Sequence, residues 1–447
     1  MLVIIHGWSD DATSFKDLAT RLARPPPQGI GADVAQISLG DYLSLDDRVT
    51  FNDLVDALDK AWNDRGLSRK PRKHDVIVHS TGGLVIRDWL TRCFTPPTAP
   101  IKRLLMLAPA NFGSPLAHTG RSVLGRAAKG WGGTQLFETG THILKGLELA
   151  SPYSWQLAAR DLFGSQCFYG PSRILCTVMV GNTGYSGIAA LANKPGSDGT
   201  VRVSTANLNA VRQTLDFTGA VSQKIKVSDI SVAPVTAFGI LDGEDHSSIA
   251  AKDKGPRDAG NWTLICAALQ VTDAGYHHWC QQLAQHNAAL VSACETIRSD
   301  YYHSYQNTVL RVVDNHGVGV DDYVLELYVN DDRRKRDREL TRQLQEDIIS
   351  SVHVYGDDSS CRSLLINCTR LHALLPKPED RLNLSLTAVP EFRKHKVGFK
   401  TYSDKDIGAL SMDATRLRQF FQGNRTLLVT LQLQRLQHDE VFRFRDV

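Results

Sequence analysis

The stretch Asp75-Val-Ile-Val-His-Ser-Thr-Gly-Gly-Leu-Val-Ile-Arg-Asp-Trp89 decides how the chain is read. Val76, Ile77 and Val78 are β-branched and offer apolar side chains to both faces, the mark of a central strand in a parallel sheet. Ser80 follows in an abrupt turn, and a helix is expected from Thr81 onward. A serine in such a turn holds an unfavourable backbone conformation, and Gly82 and Gly83 let the flanking chain pass close by. The turn lifts the hydroxyl out of the sheet and aims the start of a helix at it. Taken alone, the stretch also reads as a buried strand-turn-helix with an incidental serine. Its weight comes from what lies on either side.

Upstream, Leu2-Val3-Ile4-Ile5 is a core strand followed at once by His6-Gly7-Trp8. No basic run or cleavage site precedes it, so the expectation is a cytoplasmic protein or one exported by a leaderless route. Pro25-Pro26-Pro27 breaks the chain before a strand at Val34 to Leu39. Phe51, Leu54, Val55, Leu58 and Trp62 recur at helical spacing. Downstream, the strand Arg103 to Ala108 runs into Ala108-Pro109-Ala110-Asn111-Phe112-Gly113-Ser114-Pro115-Leu116-Ala117. Residues 118–164 lack strand character. A strand at Ile174 to Val180 precedes a loop holding Ser197-Asp198-Gly199-Thr200-Val201. The strand Val235 to Ile240 precedes Asp245-His246-Ser247-Ser248-Ile249 and a closing helix, Trp262 to Leu269. Strands alternating with helices imply a mostly parallel sheet with helices on both faces, an α/β fold.

These stretches, in this order, resemble the α/β-hydrolases, in their lipase and esterase branch, over about residues 1–270. The turn at Ser80 is similar to their nucleophile elbow, with Val78 where the G-x-S-x-G motif has its first glycine. The resemblance implies an α/β-hydrolase fold with Ser80 as nucleophile, His246 as proton relay and Asp198 as its orienting acid. It places the oxyanion donors at the backbone N–H groups of Trp8 and Thr81, and a helical lid at 118–164. It implies a serine ester hydrolase acting on a lipid or other acyl ester, with no metal and no organic cofactor. An acyltransferase or lipid-anchor deacylase on the same three residues, or an inactive binding scaffold, are the alternatives. The His79 side chain is expected to point away from Ser80, and His6 to shape the oxyanion turn.

The layout expected is a catalytic domain over 1–272, a connecting helix over 273–303 and an antiparallel, all-β sandwich-like domain over 304–447. Beyond Ser304 the pattern turns to period two, as in Leu382, Leu384 and Leu386. A membrane surface or a protein partner is open for that domain, as is a purely stabilising role. Lys plus Arg exceeds Asp plus Glu by 51 − 48 = 3, which argues against a dedicated nucleic-acid binder. No apolar run reaches the ~18 residues of a membrane-spanning helix. His277-His278-Trp279-Cys280 lacks a second ligand cluster at zinc spacing, so no metal is assigned to it. The eight cysteines are scattered and several read as buried thiols; Cys361 and Cys368 could pair, but nothing in the sequence requires it.

Overall fold

The apolar strand ahead of Ser80 lies inside a six-stranded sheet whose pairings are all parallel. The computed structural model describes residues 1–6, 14–44, 46–117, 140–219, 226–228, 230–252, 255–295, 299–331, 333–388, 397–399, 411–437 and 441. It divides the chain into unit 1, Met1–Ala210 with Val232–His303, and unit 2, Val211–Ser231 with Ser304–Val447.

Unit 1 runs β1 (Leu2–Ile5), α1 (Lys16–Ala23), β2 (Val34–Ile37), α2 (Phe51–Asp64), β3 (His74–His79), α3 (Gly82–Cys93), β4 (Ile101–Leu107), α4 (Thr141–Leu147), α5 (Pro152–Asp161) and β5 (Leu175–Gly181). The chain then supplies β6 (Val211–Phe217) to unit 2 and returns with β7 (Ala237–Leu241), α6 (Ala259–Ala268) and α7 (Tyr276–Glu295). The strand order is β2-β1-β3-β4-β5-β7. From β1 the chain builds outward to β2, then starts again on the other side with β3. Open α/β sheets place their ligands beyond the carboxyl ends of the strands at such a reversal. Ser80 follows β3 there, and His6 follows β1.

The 118–164 insertion is described only from residue 140, where it forms α4 and α5; residues 118–139 lie outside the described residues. Helix α5 is tied to the elbow helix α3 by a fully buried ion pair. Arg87 donates from Nε and Nη2 to the two Asp161 carboxylate oxygens at 2.7 and 2.9 Å, and from Nη1 to the Asn111 carbonyl at 3.1 Å. Tyr169 adds a hydroxyl to Asp161 at 2.9 Å. Burial works against the Arg87 charge, but Asp161 outweighs it and the guanidinium pKa is raised. Removing one member of such a pair strands the other charge away from water. Asp161→Ala is therefore expected to cost unit 1 about 3–5 kcal/mol. All seven tryptophans fall within unit 1, so a urea titration followed by tryptophan fluorescence reads this loss directly.

Helix α7 is not the connector expected at 273–303: it belongs to unit 1 and covers the exposed edge of β7. Asn287 accepts the Ile240 N–H at 2.8 Å and donates to the Phe238 carbonyl at 2.8 Å, while His286 Nε2 reaches the Ile240 carbonyl at 2.9 Å. These side chains take the hydrogen bonds that a further strand would make, which blunts the edge.

Unit 2 contains β8 (Tyr305–Asp314), β9 (Tyr323–Val329), α8 (Lys335–Gln343), β10 (Ile349–Val354), β11 (Cys361–Asn367), α9 (Cys368–Leu374), β12 (Arg381–Ala388), α10 (Ala414–Phe420) and β13 (Arg425–Leu433). Its main sheet runs β10-β11-β8-β13-β6, continued by Lys226–Val227; a smaller one pairs β9 with β12 and Met412–Asp413. The unit is β-rich, but its pairing is not antiparallel throughout: β13 lies parallel to both β8 and β6. Period-two patterning reports which face is buried, not the direction of the neighbour, which is why the sequence reading missed this. The sequence reading also kept 211–231 with the catalytic domain. In β6, Val211, Gln213, Leu215 and Phe217 alternate inward, and the apolar members of that face belong to the core of unit 2. Cys361 and Cys368, at either end of β11, are free thiols. Among the described residues, no helix is long and apolar enough to cross a membrane.

Candidate active site

Ser80 sits between β3 and α3 with φ +54°, a left-handed conformation that costs a non-glycine residue about 1–3 kcal/mol. The surroundings hold it there. The Ser80 N–H donates to the Leu107 carbonyl at 3.2 Å, and its own carbonyl accepts from Gly83 at 3.1 Å and Ala110 at 3.2 Å. Gly83 has to be a glycine, because a Cβ there would lie 2.6 Å from Pro109 Cβ. Gly82 explains how Val78 is tolerated: a Cβ at Gly82 would stand 3.3 Å from the Val78 Cβ. The space that a glycine at 78 would leave is supplied from the other side of the turn.

The three sequence-chosen side chains meet. His246 Nε2 lies 3.1 Å from Ser80 Oγ, and His246 Nδ1 lies 2.9 Å from Asp198 Oδ2. An ionised carboxylate only accepts, so Nδ1 carries the hydrogen and the Nε2 lone pair faces the serine hydroxyl. The second Asp198 oxygen accepts the Thr200 and Val201 N–H groups at 2.9 and 2.7 Å, and the residue is fully buried. The His246 N–H donates to the Asp198 carbonyl at 2.9 Å, tying the two loops together by backbone as well as side chain. Thr81 opens α3, where the first N–H groups have no intrahelical acceptor and point at whatever sits beside Ser80. Trp8 lies outside the described residues.

His79 is packed against the histidine that meets Ser80. Its ring packs 4.6 Å from the His246 ring, and its Nε2 donates to the His246 carbonyl at 2.9 Å. On its other side it meets Phe15, which meets His6. His6 bonds Gln36 Oε1 at 3.0 Å. The sequence signal for His79 was its place next to Ser80, which does not announce a contact with a residue 167 positions further on.

Three further braces were not legible. Glu244, fully buried, accepts from Ser248 Oγ at 2.6 Å, Arg257 N at 2.7 Å and Asn261 Nδ2 at 2.9 Å, which fixes the turn that carries His246. Ser114 Oγ donates to the Thr200 carbonyl at 2.6 Å, so the Ala108–Ala117 turn, already bonded to Ser80, also grips the Asp198 loop. Tyr301 donates its hydroxyl to the Ser197 carbonyl at 2.8 Å. Burial pushes the Tyr301 phenol up to about 12, which keeps it a donor. The result is a serine hydroxyl, an imidazole and a buried carboxylate already aligned at the sheet rim, a geometry suited to acyl transfer.

No family model matches the chain, and no curated protein matches it. Among solved structures it is similar to phospholipase PlaB from Legionella pneumophila, with a TM-score of 0.80 and 22% identity over 100% of this chain and 96% of that one. PlaB in complex with thio-NAD gives a TM-score of 0.81 and 23% identity with the same coverage. The mature lipase BlEst2 from Bacillus licheniformis aligns with 56% of this chain and 85% of its own at a TM-score of 0.34 and 17% identity. The likeness to PlaB extends over both units: the chain has an α/β-hydrolase fold followed by a β-rich unit.

Proposed function

We propose that the chain is a serine hydrolase that cleaves acyl esters of lipids through an acyl-enzyme. The observation that carries the reading is the unbroken chain of hydrogen bonds from Ser80 through His246 to buried Asp198. The end-to-end fold likeness to a protein named a phospholipase supports a lipid ester over a small polar one.

In this reading His246 Nε2 takes the Ser80 proton as Oγ attacks the ester carbonyl. Negative charge then grows on the carbonyl oxygen, where the Thr81 N–H, and Trp8 as the second donor, stabilise it. Donors of this kind are each worth about 3–4 kcal/mol of barrier because they are aimed before the charge appears. The imidazolium, held by Asp198, returns its proton to the leaving alkoxide and frees the alcohol. Water, deprotonated by His246, then attacks the acyl-Ser80 ester and releases the fatty acid. His79 holds the backbone of the moving-proton residue in register, and Glu244 holds the turn beneath it.

The test is a panel of p-nitrophenyl esters from acetate to palmitate, together with phospholipid vesicles. The expected result is higher kcat/KM on long chains, with free fatty acid as product. Ester formation with an added alcohol in place of hydrolysis would reassign the chain as an acyltransferase. Activity on acetate alone would make it a simple esterase.

A further inference from the structure

Unit 2 holds a pocket that opens from its core to the surface. Its volume is about 400 Å³, and it is walled by side chains of the main sheet (Leu215, Leu310 and Leu364) and of the smaller one (Leu325, Leu327 and Leu384). Protein interiors pack like organic crystals, with few voids larger than a water molecule. Several of these walls are nonetheless members of the unit's own buried core cluster and face a hollow instead of one another. The volume falls in the range of about 300–1,000 Å³ typical of ligand pockets.

The walls say what fits. Most are apolar, with Gln213, Ser228, Thr308 and Ser411 as polar members, and the leucines contributed by both sheets suit a flexible polymethylene chain. One end is different. Helix α10 turns Arg416, Gln419 and Phe420 toward the cavity, which are i, i+3 and i+4 and so share a helix face. Leu417 on the other side is buried and anchors the helix. Arg416 and Gln419 are exposed, so this end is the mouth. Asp413 caps α10 by accepting the Arg416 backbone N–H at 2.8 Å, and the Arg416 guanidinium makes no hydrogen-bonded ion pair among the described residues. Val227 and Ile230, exposed apolar residues, also line the cavity. Together these give an aliphatic slot with a wet apolar lip and a cation at its entrance.

We propose that unit 2 binds a long-chain fatty acid, with the acyl chain between its two larger sheets and the carboxylate at Arg416. A guanidinium at the mouth matches a carboxylate in charge and in its paired oxygens. A fatty acid is also what the proposed ester hydrolysis releases, and only this source of ligand rests on that reading. The site itself is built from residues of unit 2 alone.

The test uses the full chain titrated with the fluorescent fatty acid cis-parinaric acid, in wild type, Ser80→Ala, Leu364→Trp, Leu327→Trp and Arg416→Glu. Saturable binding is expected in wild type and, unchanged, in Ser80→Ala. Leu364→Trp and Leu327→Trp add bulk inside the slot and should weaken binding at least tenfold. Unit 2 has no natural tryptophan, so energy transfer from the introduced indole to residual bound probe would add its location; the new rings are read against melting curves that establish folding. Arg416→Glu, on an exposed residue, tests the head group without touching the core: parinaric acid should bind about tenfold more weakly, while competition by uncharged hexadecanol stays as in wild type. Absence of saturable binding, or binding unmoved by both slot variants in folded protein, would overturn the proposal. So would binding abolished by Ser80→Ala, which would put the probe in unit 1. Slot-dependent binding in a chain that hydrolyses no ester would leave this site standing and remove the hydrolase reading.

Discussion

Ser80→Ala should lower kcat on a long-chain p-nitrophenyl ester by about 10⁵-fold or more while leaving the fold intact. The size follows from the role proposed: without the hydroxyl no acyl-enzyme forms, and what remains is water attack on an ester held near two oxyanion donors. Loss of a nucleophile from a preformed constellation of this kind removes nearly all of its advantage at once, because base and acid have nothing left to serve. The fold should survive for a local reason. Ser80 is held at φ +54°, and alanine already occupies that region at Ala108 (φ 45°) and Ala251 (φ 53°). The bonds that fix residue 80 use its backbone, to Leu107, Gly83 and Ala110, and alanine keeps them. A melting curve close to wild type alongside lost activity is the expected pair of results. Hydrolysis within tenfold of wild type would move the chemistry elsewhere.

Asp198→Asn should cost about 10⁴-fold in kcat, with little change in KM. Asparagine has nearly the same shape, and its carbonyl oxygen still accepts the Thr200 and Val201 N–H groups that Asp198 Oδ1 binds now. What changes is the atom facing His246 Nδ1. With the carbonyl turned to the backbone donors, the amide NH₂ meets the imidazole. A donor there forces Nδ1 to be the lone-pair nitrogen and puts the hydrogen on Nε2, where it points at Ser80 Oγ. The base is then blocked in its ground state and the imidazolium loses its counter-charge. Steady-state kinetics on the same ester, with the far-UV melting curve as a folding control, reads the effect. A fall of less than tenfold would mean that Asp198 braces its loop and does not orient the histidine.

Unit 1 was legible where a strand is apolar on both faces, as in β1, Val76 to Val78 of β3 and most of β5, and where the turn after it carries a motif. Val76 to Val78, the Ala108–Ala117 turn, Asp198 and His246 could be ordered from sequence, since a parallel sheet puts consecutive strand ends on one rim. What could not be read was contact across that rim. His79 next to Ser80 looked bland, yet its ring lies against His246, and nothing in the sequence marked Glu244 as the buried acid that Asn261 and Ser248 close over. Unit 2 was harder for a different reason. Alternation along Leu382 to Leu386 says that one face is buried but not against what. Strand β6 lies far along the chain from its partner β13, and no local pattern announces a pairing of Val211–Phe217 with Leu427–Leu433. The same limit hid the cavity: a leucine-lined strand reads alike whether it faces another side chain or a void.

If Ser80 is a nucleophile made reactive by His246 and Asp198, one labelling experiment reads it directly. The full chain is treated with a fluorophosphonate, digested, and the modified residue mapped by mass spectrometry, beside His246→Ala and Asp198→Asn. The expected result is one phosphonyl group per chain, on Ser80, formed far more slowly in both variants. Modification at another residue, or labelling of Ser80 at the wild-type rate without His246, would contradict it.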